Sequence, residues 1–105
     1  MTISTHVLDT ARGLPAVGIA VALERSSGDG WEAVGRAVTD ADGRARELGP
    51  VAPGRHRLTF ETGAYLGAES FYPRVSVEFV VAGHDDRCHV PLLLSPFGYS
   101  TYRGS

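Results

Sequence analysis

Two histidines stand in stretches where apolar and polar side chains alternate. An imidazole is the side chain best suited to moving protons near neutral pH. In the run from Ile3 to Asp9, His6 shares a strand face with Ser4 and Leu8, opposite Ile3, Thr5 and Val7. In the run from Arg87 to Ser95, His89 shares a face with Pro91 and Leu93, opposite Cys88, Val90, Leu92 and Leu94. The second of those faces is the more uniformly apolar, so it belongs in a core and His89 points outward. Near the end of the chain Ser100 and Tyr102 point one way, Thr101 and Arg103 the other. If these three strands are neighbours, His6, His89, Ser100 and Tyr102 form one polar and aromatic patch on an outer sheet face. Spacing does not supply that adjacency. A histidine on a strand is most often simply solvated, an arginine after a turn, such as Arg44, is usually exposed, and a chain end is usually frayed.

Several other chemistries are excluded. Cys88 is the one cysteine, so there is no internal disulfide and no finger-type zinc site, which suits a reducing compartment. The run Asp40-Ala41-Asp42-Gly43 begins like a calcium loop but lacks the further acidic ligands and the closing Glu. No metal site is expected. The ten Lys and Arg residues are all Arg, which removes a lysine nucleophile or Schiff base. A net charge of -2 provides no field for nucleic acid or an anionic membrane. No run approaches the roughly 18 apolar residues of a membrane span. The first residues carry no basic segment followed by an apolar one, so a cytoplasmic protein is expected.

The elements that must position these side chains are short. At 105 residues the chain is expected to form a single domain, 1–105. Its 13 Gly and 6 Pro are spread evenly and punctuate it as they do an all-β protein. Strands are predicted from Ile3 to Asp9, Ile19 to Arg25, Trp31 to Thr39, through Arg44 and Arg46, and from Arg55 to Thr62. Further strands follow from Val75 to Val81, Arg87 to Ser95 and Tyr99 to Arg103. Arg12 to Pro15 and Asp40 to Gly43 read as turns, and Gly63 to Ser70 as a helix of about two turns. About eight strands at such spacing predict a β-sandwich.

Three stretches carry a family resemblance. They are Ser4-Thr5-His6-Val7-Leu8-Asp9 with Gly13-Leu14-Pro15-Ala16, then Thr39-Asp40-Ala41-Asp42-Gly43-Arg44, and finally His89-Val90-Pro91-Leu92-Leu93-Leu94-Ser95-Pro96-Phe97-Gly98-Tyr99-Ser100-Thr101-Tyr102-Arg103-Gly104-Ser105. Their order and spacing resemble those of the 5-hydroxyisourate hydrolases, the enzymatic relatives of transthyretin. The closing Tyr-Arg-Gly-Ser is the most specific piece. One departure is plain: the family usually has His-Tyr-His before Val-Pro-Leu-Leu-Leu, and this chain has Arg87-Cys88-His89. The retained histidine is His89, and alternation makes Cys88 a core residue rather than a nucleophile.

The resemblance implies an all-β, transthyretin-like (prealbumin-like) two-sheet sandwich with one short helix, assembled as a homotetramer of two dimers. It implies that His6, Arg44, His89 and the terminal Tyr102-Arg103-Gly104-Ser105 meet at one site, with Tyr102 narrowing a channel between dimers. The implied reaction is hydrolysis of the cyclic amide of 5-hydroxyisourate to 2-oxo-4-hydroxy-4-carboxy-5-ureidoimidazoline in urate degradation, without a cofactor. Such a reaction needs a positioned water, a base and positive charge at the developing oxyanion. His6 or His89 is the expected base, and Arg44 the expected guanidinium. Arg103 is expected to bind substrate or anchor the chain end, Tyr102 to contact the ring, and the Ser105 hydroxyl or terminal carboxylate to orient the water or a histidine. The rival readings are a transthyretin-like carrier that binds a small aromatic ligand without reaction, and a prealbumin-like structural module.

Overall fold

The computed structural model describes residues 2–84 and 86–104. The chain runs β1 (Thr2–Asp9), β2 (Leu14–Pro15), β3 (Ala20–Ser27), β4 (Gly30–Val38), β5 (Arg44–Ala45), β6 (Gly54–Phe60) and α1 (Thr62–Leu66). A 3-10 turn, Gly67–Glu69, continues α1. Then come β7 (Val75–Val81), β8 (Arg87–His89), β9 (Leu92–Ser95) and β10 (Gly98–Thr101). β4, β3, β6 and β7 form one antiparallel sheet in that order. The other sheet has β1 at its centre, with β2 and β5 pairing β1 on one side and β8 and β9 on the other, and β10 outside β9.

The two sheets bury a shared core because their strands alternate. Ile3, Thr5, Val7 and Asp9 of β1 point inward and are buried, while Ser4, His6 and Leu8 lie half-buried on the outer face. Leu23, Leu58 and Phe60 of the antiparallel sheet meet Ile3, Leu92 and Leu94 in the same cluster. Cys88 joins that core, as its alternation required. Buried hydroxyls are satisfied locally: Thr39 Oγ1 accepts the Ile19 N–H at 2.9 Å and donates to the Ala16 carbonyl at 2.8 Å.

Three elements differ from the sequence expectation. Leu14–Pro15, read as a turn, forms a two-residue strand against Leu8 and Asp9. The expected helix tightens after Leu66, where Gly67 takes φ 72. The run from Arg87 to Ser95 is two strands, not one, because Pro91 has no N–H for the ladder. The register does not slip across the gap: Ser4 pairs with His89 and Val7 with Leu92. The carbonyls there go to hydroxyls instead, Val90 accepting from Thr5 and Pro91 from Thr101.

The turn before β5 decides where Arg44 lies. Asp40 accepts the N–H groups of Asp42 at 2.9 Å and Arg44 at 3.0 Å through Oδ1, and these bonds hold its carboxyl below the ordinary value of 3.8. Gly43 sits at φ 75, and a Cβ there would stand 2.5 Å from the Val7 carbonyl oxygen of central β1. We predict that Gly43→Ala costs at least the ~1–3 kcal/mol typical of a strained backbone position. Urea denaturation measures it, and an unchanged midpoint would refute the role of this close approach.

Candidate functional site

The pairing around β1 lays out a row of polar side chains on the outer face of its sheet. His6 is the register partner of Arg44 on β5, and Ser4 is the register partner of His89 on β8. Partners directly opposite share a face, so Arg44, His6, Ser4 and His89 all project the same way. Two residues along a strand and one strand across place the His6 and His89 Cα atoms about 8 Å apart from standard sheet spacings. Ser4, Arg44 and His89 border an open hollow of about 350 Å³, together with Arg46, Glu47 and Arg87. Glu47 turns the chain away after β5 at φ 56, and the next residue, Leu48, donates its N–H to the Ile3 carbonyl at 2.9 Å.

Each histidine is tied by one ring nitrogen. His6 Nε2 lies 2.8 Å from the Asp42 carbonyl oxygen. A carbonyl only accepts, so Nε2 carries the proton and His6 is anchored to the turn that presents Arg44. His89 Nδ1 lies 2.8 Å from Ser4 Oγ. Burial first, then the charges of Arg44 and His6, hold the His89 imidazole below its ordinary value of 6.5, although a backbone hydrogen bond to Ser4 acts the other way. The ring is therefore neutral at pH 7, as a base must be.

The end of the chain returns to the same place. β10 leaves the ladder after Thr101, and Gly104 rejoins it by donating its N–H to the His89 carbonyl at 2.8 Å. Only glycine fits there, since a Cβ would stand 2.6 Å from His89 Cδ2. Tyr102 and Arg103 occupy the excursion between these two points. The continuous strand expected from Tyr99 to Arg103 is thus replaced by a shorter strand and an isolated bridge. Both side chains are exposed, and they line a second hollow with Val77, Phe79 and Cys88 rather than the one beside His89. Within one chain, then, His6, Arg44 and His89 come together, and Tyr102 and Arg103 do not join them. Ser100, opposite Leu93, is on the outer face as alternation predicts. Ser105 lies outside the described residues. Sequence reasoning missed one contributor, Ser4, whereas Gly104 belongs to the terminal segment that the resemblance brings to the site. Ser4 had been placed on the His6 face, but only its pairing with His89 gives it a contact.

Most of the arginines divide by sheet, with Arg36 of β4 outside the pattern. Arg25, Arg55, Arg57 and Arg74, in or beside the antiparallel sheet, all pair with glutamates at 2.7 to 3.6 Å. Among the described residues no ion pair engages Arg44, Arg46 or Arg87, which leaves the hollow electropositive. No three His, Cys, Asp or Glu side chains among the described residues converge as metal ligands would.

Strand order and layering define a class, the transthyretin-like β-sandwich. The chain belongs to the HIUase/Transthyretin family, whose sequence model matches residues 3–104. It is 44% identical to the 5-hydroxyisourate hydrolase of Salmonella dublin over 109 residues, covering 98% of this chain and 80% of that protein. The solved 5-hydroxyisourate hydrolase of Klebsiella pneumoniae is 43% identical with a TM-score of 0.86, each chain covered in full (100%). Sea bream transthyretin, solved in complex with thyroxine, superposes with a TM-score of 0.92 at 29% identity, covering 99% of this chain and 95% of that one. Backbone similarity therefore does not separate hydrolase from carrier; sequence identity does, and function must be argued from side chains.

Two substitutions test how the ring is held. In wild type, His89 should titrate below 6.5 by NMR. Arg44→Gln should move that titration upward by removing a positive charge that opposes the imidazolium. Gly104→Ala should also raise it, by pushing the ring toward water. A His89 titration that stays put in both variants would show that neither contact acts on the ring.

Proposed function

We propose that the protein hydrolyses 5-hydroxyisourate, opening its cyclic amide to 2-oxo-4-hydroxy-4-carboxy-5-ureidoimidazoline. The observation that carries this reading is the convergence of Arg44, His6 and His89 on one sheet face, combined with 44% identity to named hydrolases. His89 is the base: its imidazole is neutral at pH 7, and its Nε2 has no hydrogen-bond partner among the described residues. It takes a proton from water as the water oxygen attacks the amide carbonyl. The carbonyl oxygen becomes an oxyanion facing Arg44, whose planar fork suits two oxygens and whose charge persists at every working pH. The C–N bond then breaks, the ring nitrogen takes the proton that His89 removed from water, and the carboxylic acid so formed loses its own proton to solvent and leaves as a carboxylate. His6, fixed through Nε2, orients the substrate beside Arg44. No cofactor is needed for these steps, because water, base and cation suffice.

We further propose a homotetramer in the cytoplasm. Open sheet edges, β7 and β10 among them, call for cover. The exposed aromatic rings of Phe71, Tyr72 and Tyr99, in edge contact at 4.9 and 5.2 Å, offer apolar surface to a second copy. Tyr102, 56% exposed, is available to a neighbouring chain and in this reading narrows the space between dimers. Buried Cys88, which is in no disulfide, suits a reducing compartment.

Hydroxyisourate generated from urate by urate oxidase should lose its ultraviolet absorbance faster with the protein present than without it; an unchanged decay would favour a non-catalytic carrier. His6→Ala and His89→Ala should each cut turnover by roughly 10²–10⁴-fold while the fold persists. The rate should fall on acidification with a midpoint below 6.5, since protonating His89 removes the base. Arg44→Gln should move that midpoint toward higher pH. Light scattering should give about four times the 11.2 kDa chain mass, and a monomer would leave the proposed channel without walls.

A further inference from the structure

His89 is held by three contacts, two at its ring and one at its backbone. Ser4 Oγ stands 2.8 Å from Nδ1, the Gly104 N–H bonds the His89 carbonyl at 2.8 Å, and the Gly104 backbone packs against Cδ2. Nε2 has no partner among the described residues. His89 borders the hollow together with Arg44 and Arg87.

The tautomer follows from what surrounds Nδ1. A hydroxyl can accept or donate, so Ser4 Oγ alone decides nothing. The Ser4 backbone tips the balance: its carbonyl accepts the Val90 N–H at 2.9 Å, and as an acceptor near the ring it acts to raise the affinity of His89 for a proton. A carbonyl oxygen never donates, so its influence favours a proton on Nδ1, with Ser4 Oγ as the hydrogen-bond acceptor. The β1–β8 register imposes this arrangement, since Ser4 is the residue directly opposite His89.

We propose that Ser4 is a positioning residue that holds neutral His89 as its Nδ1–H tautomer and so turns the Nε2 lone pair into the hollow. The opposite tautomer would bury the lone pair against β1, where no water can use it. During reaction the water proton goes to Nε2, and the Nδ1 proton stays on the ring, hydrogen-bonded to Ser4. Ser4 gains and loses no proton. It steadies the imidazolium as a hydrogen-bond acceptor, as orienting groups do for catalytic histidines generally. The kinetic part of this inference rests on the proposed hydrolysis; the tautomer part stands apart from it.

The test has two arms on the full-length protein. Two-bond 1H–15N correlation at a pH where the ring is neutral should show His89 with a protonated Nδ1 and a bare Nε2 in wild type. A protonated Nε2 would overturn the proposal whether or not the protein is active. In the second arm, Ser4→Ala should lower kcat roughly tenfold to a hundredfold with KM little changed, the scale expected for a misplaced catalytic group. Ser4→Thr, which keeps the hydroxyl and suits a strand, should restore most of it. Full activity in Ser4→Ala would also overturn the role. If Ser4→Ala does not fold, the wild-type spectrum alone decides. Wild-type protein with the Nδ1–H tautomer but no hydrolysis would refute the proposed function and leave the tautomer assignment standing.

Discussion

The parallel pairing of β1 with β8 and β9 is the constraint on which the rest of the structure depends. It joins residues 85 positions apart, Ser4 and His89. Parallel strands cannot be joined by a tight turn, so most of the chain must lie between them. That intervening chain forms the whole second sheet, whose apolar face covers β1, β8 and β9. The same pairing keeps one register across Pro91, so His89 remains opposite Ser4 while Leu92 and Leu94 stay in the core. A slip of one residue would turn His89 inward and expose Val90.

The two sheets handle charge differently. On the antiparallel sheet, glutamates and arginines stand opposite one another across adjacent strands, as Glu24 and Arg57 do at 2.7 Å, and Arg57 also covers the Trp31 ring at 4.4 Å. These groups satisfy each other and ask for no ligand. On the β1 sheet, Arg44, Arg46 and Arg87 crowd one hollow with Glu47 as the nearby carboxylate. Clustered guanidiniums repel, and they disfavour a charged His89. Both consequences are costs to the folded chain, and both would serve the proposed site, which has to bind an oxygen-rich ring and keep its base neutral. Arg87, where relatives usually carry histidine, adds to that positive field.

The turn and the tail act as clamps on the two imidazoles. The Asp40 turn delivers the Asp42 carbonyl to His6 and the Arg44 guanidinium beside it, so one loop sets two groups. The tail delivers Gly104 to His89. In each case a glycine allows the backbone to come close enough, Gly43 against Val7 and Gly104 against the ring. Rigid strands carry the reactive groups, and loops with no freedom to add a side chain lock them.

The sequence by itself determined the elements and their faces. Alternation assigned Ile3, Val7, Cys88 and Leu92 inward and His6 and His89 outward, because period-two patterning is local and follows from the strand itself. The Asp-x-Asp-Gly turn was legible for the same reason. Tertiary structure alone decided which strands lie side by side, since hydrogen-bonded pairing between distant segments leaves no local mark. It therefore decided that Ser4 touches His89, that Arg44 stands opposite His6, and that the chain breaks out at Tyr102 and Arg103 before Gly104 returns. Those facts depend on register between segments that meet only when the core closes.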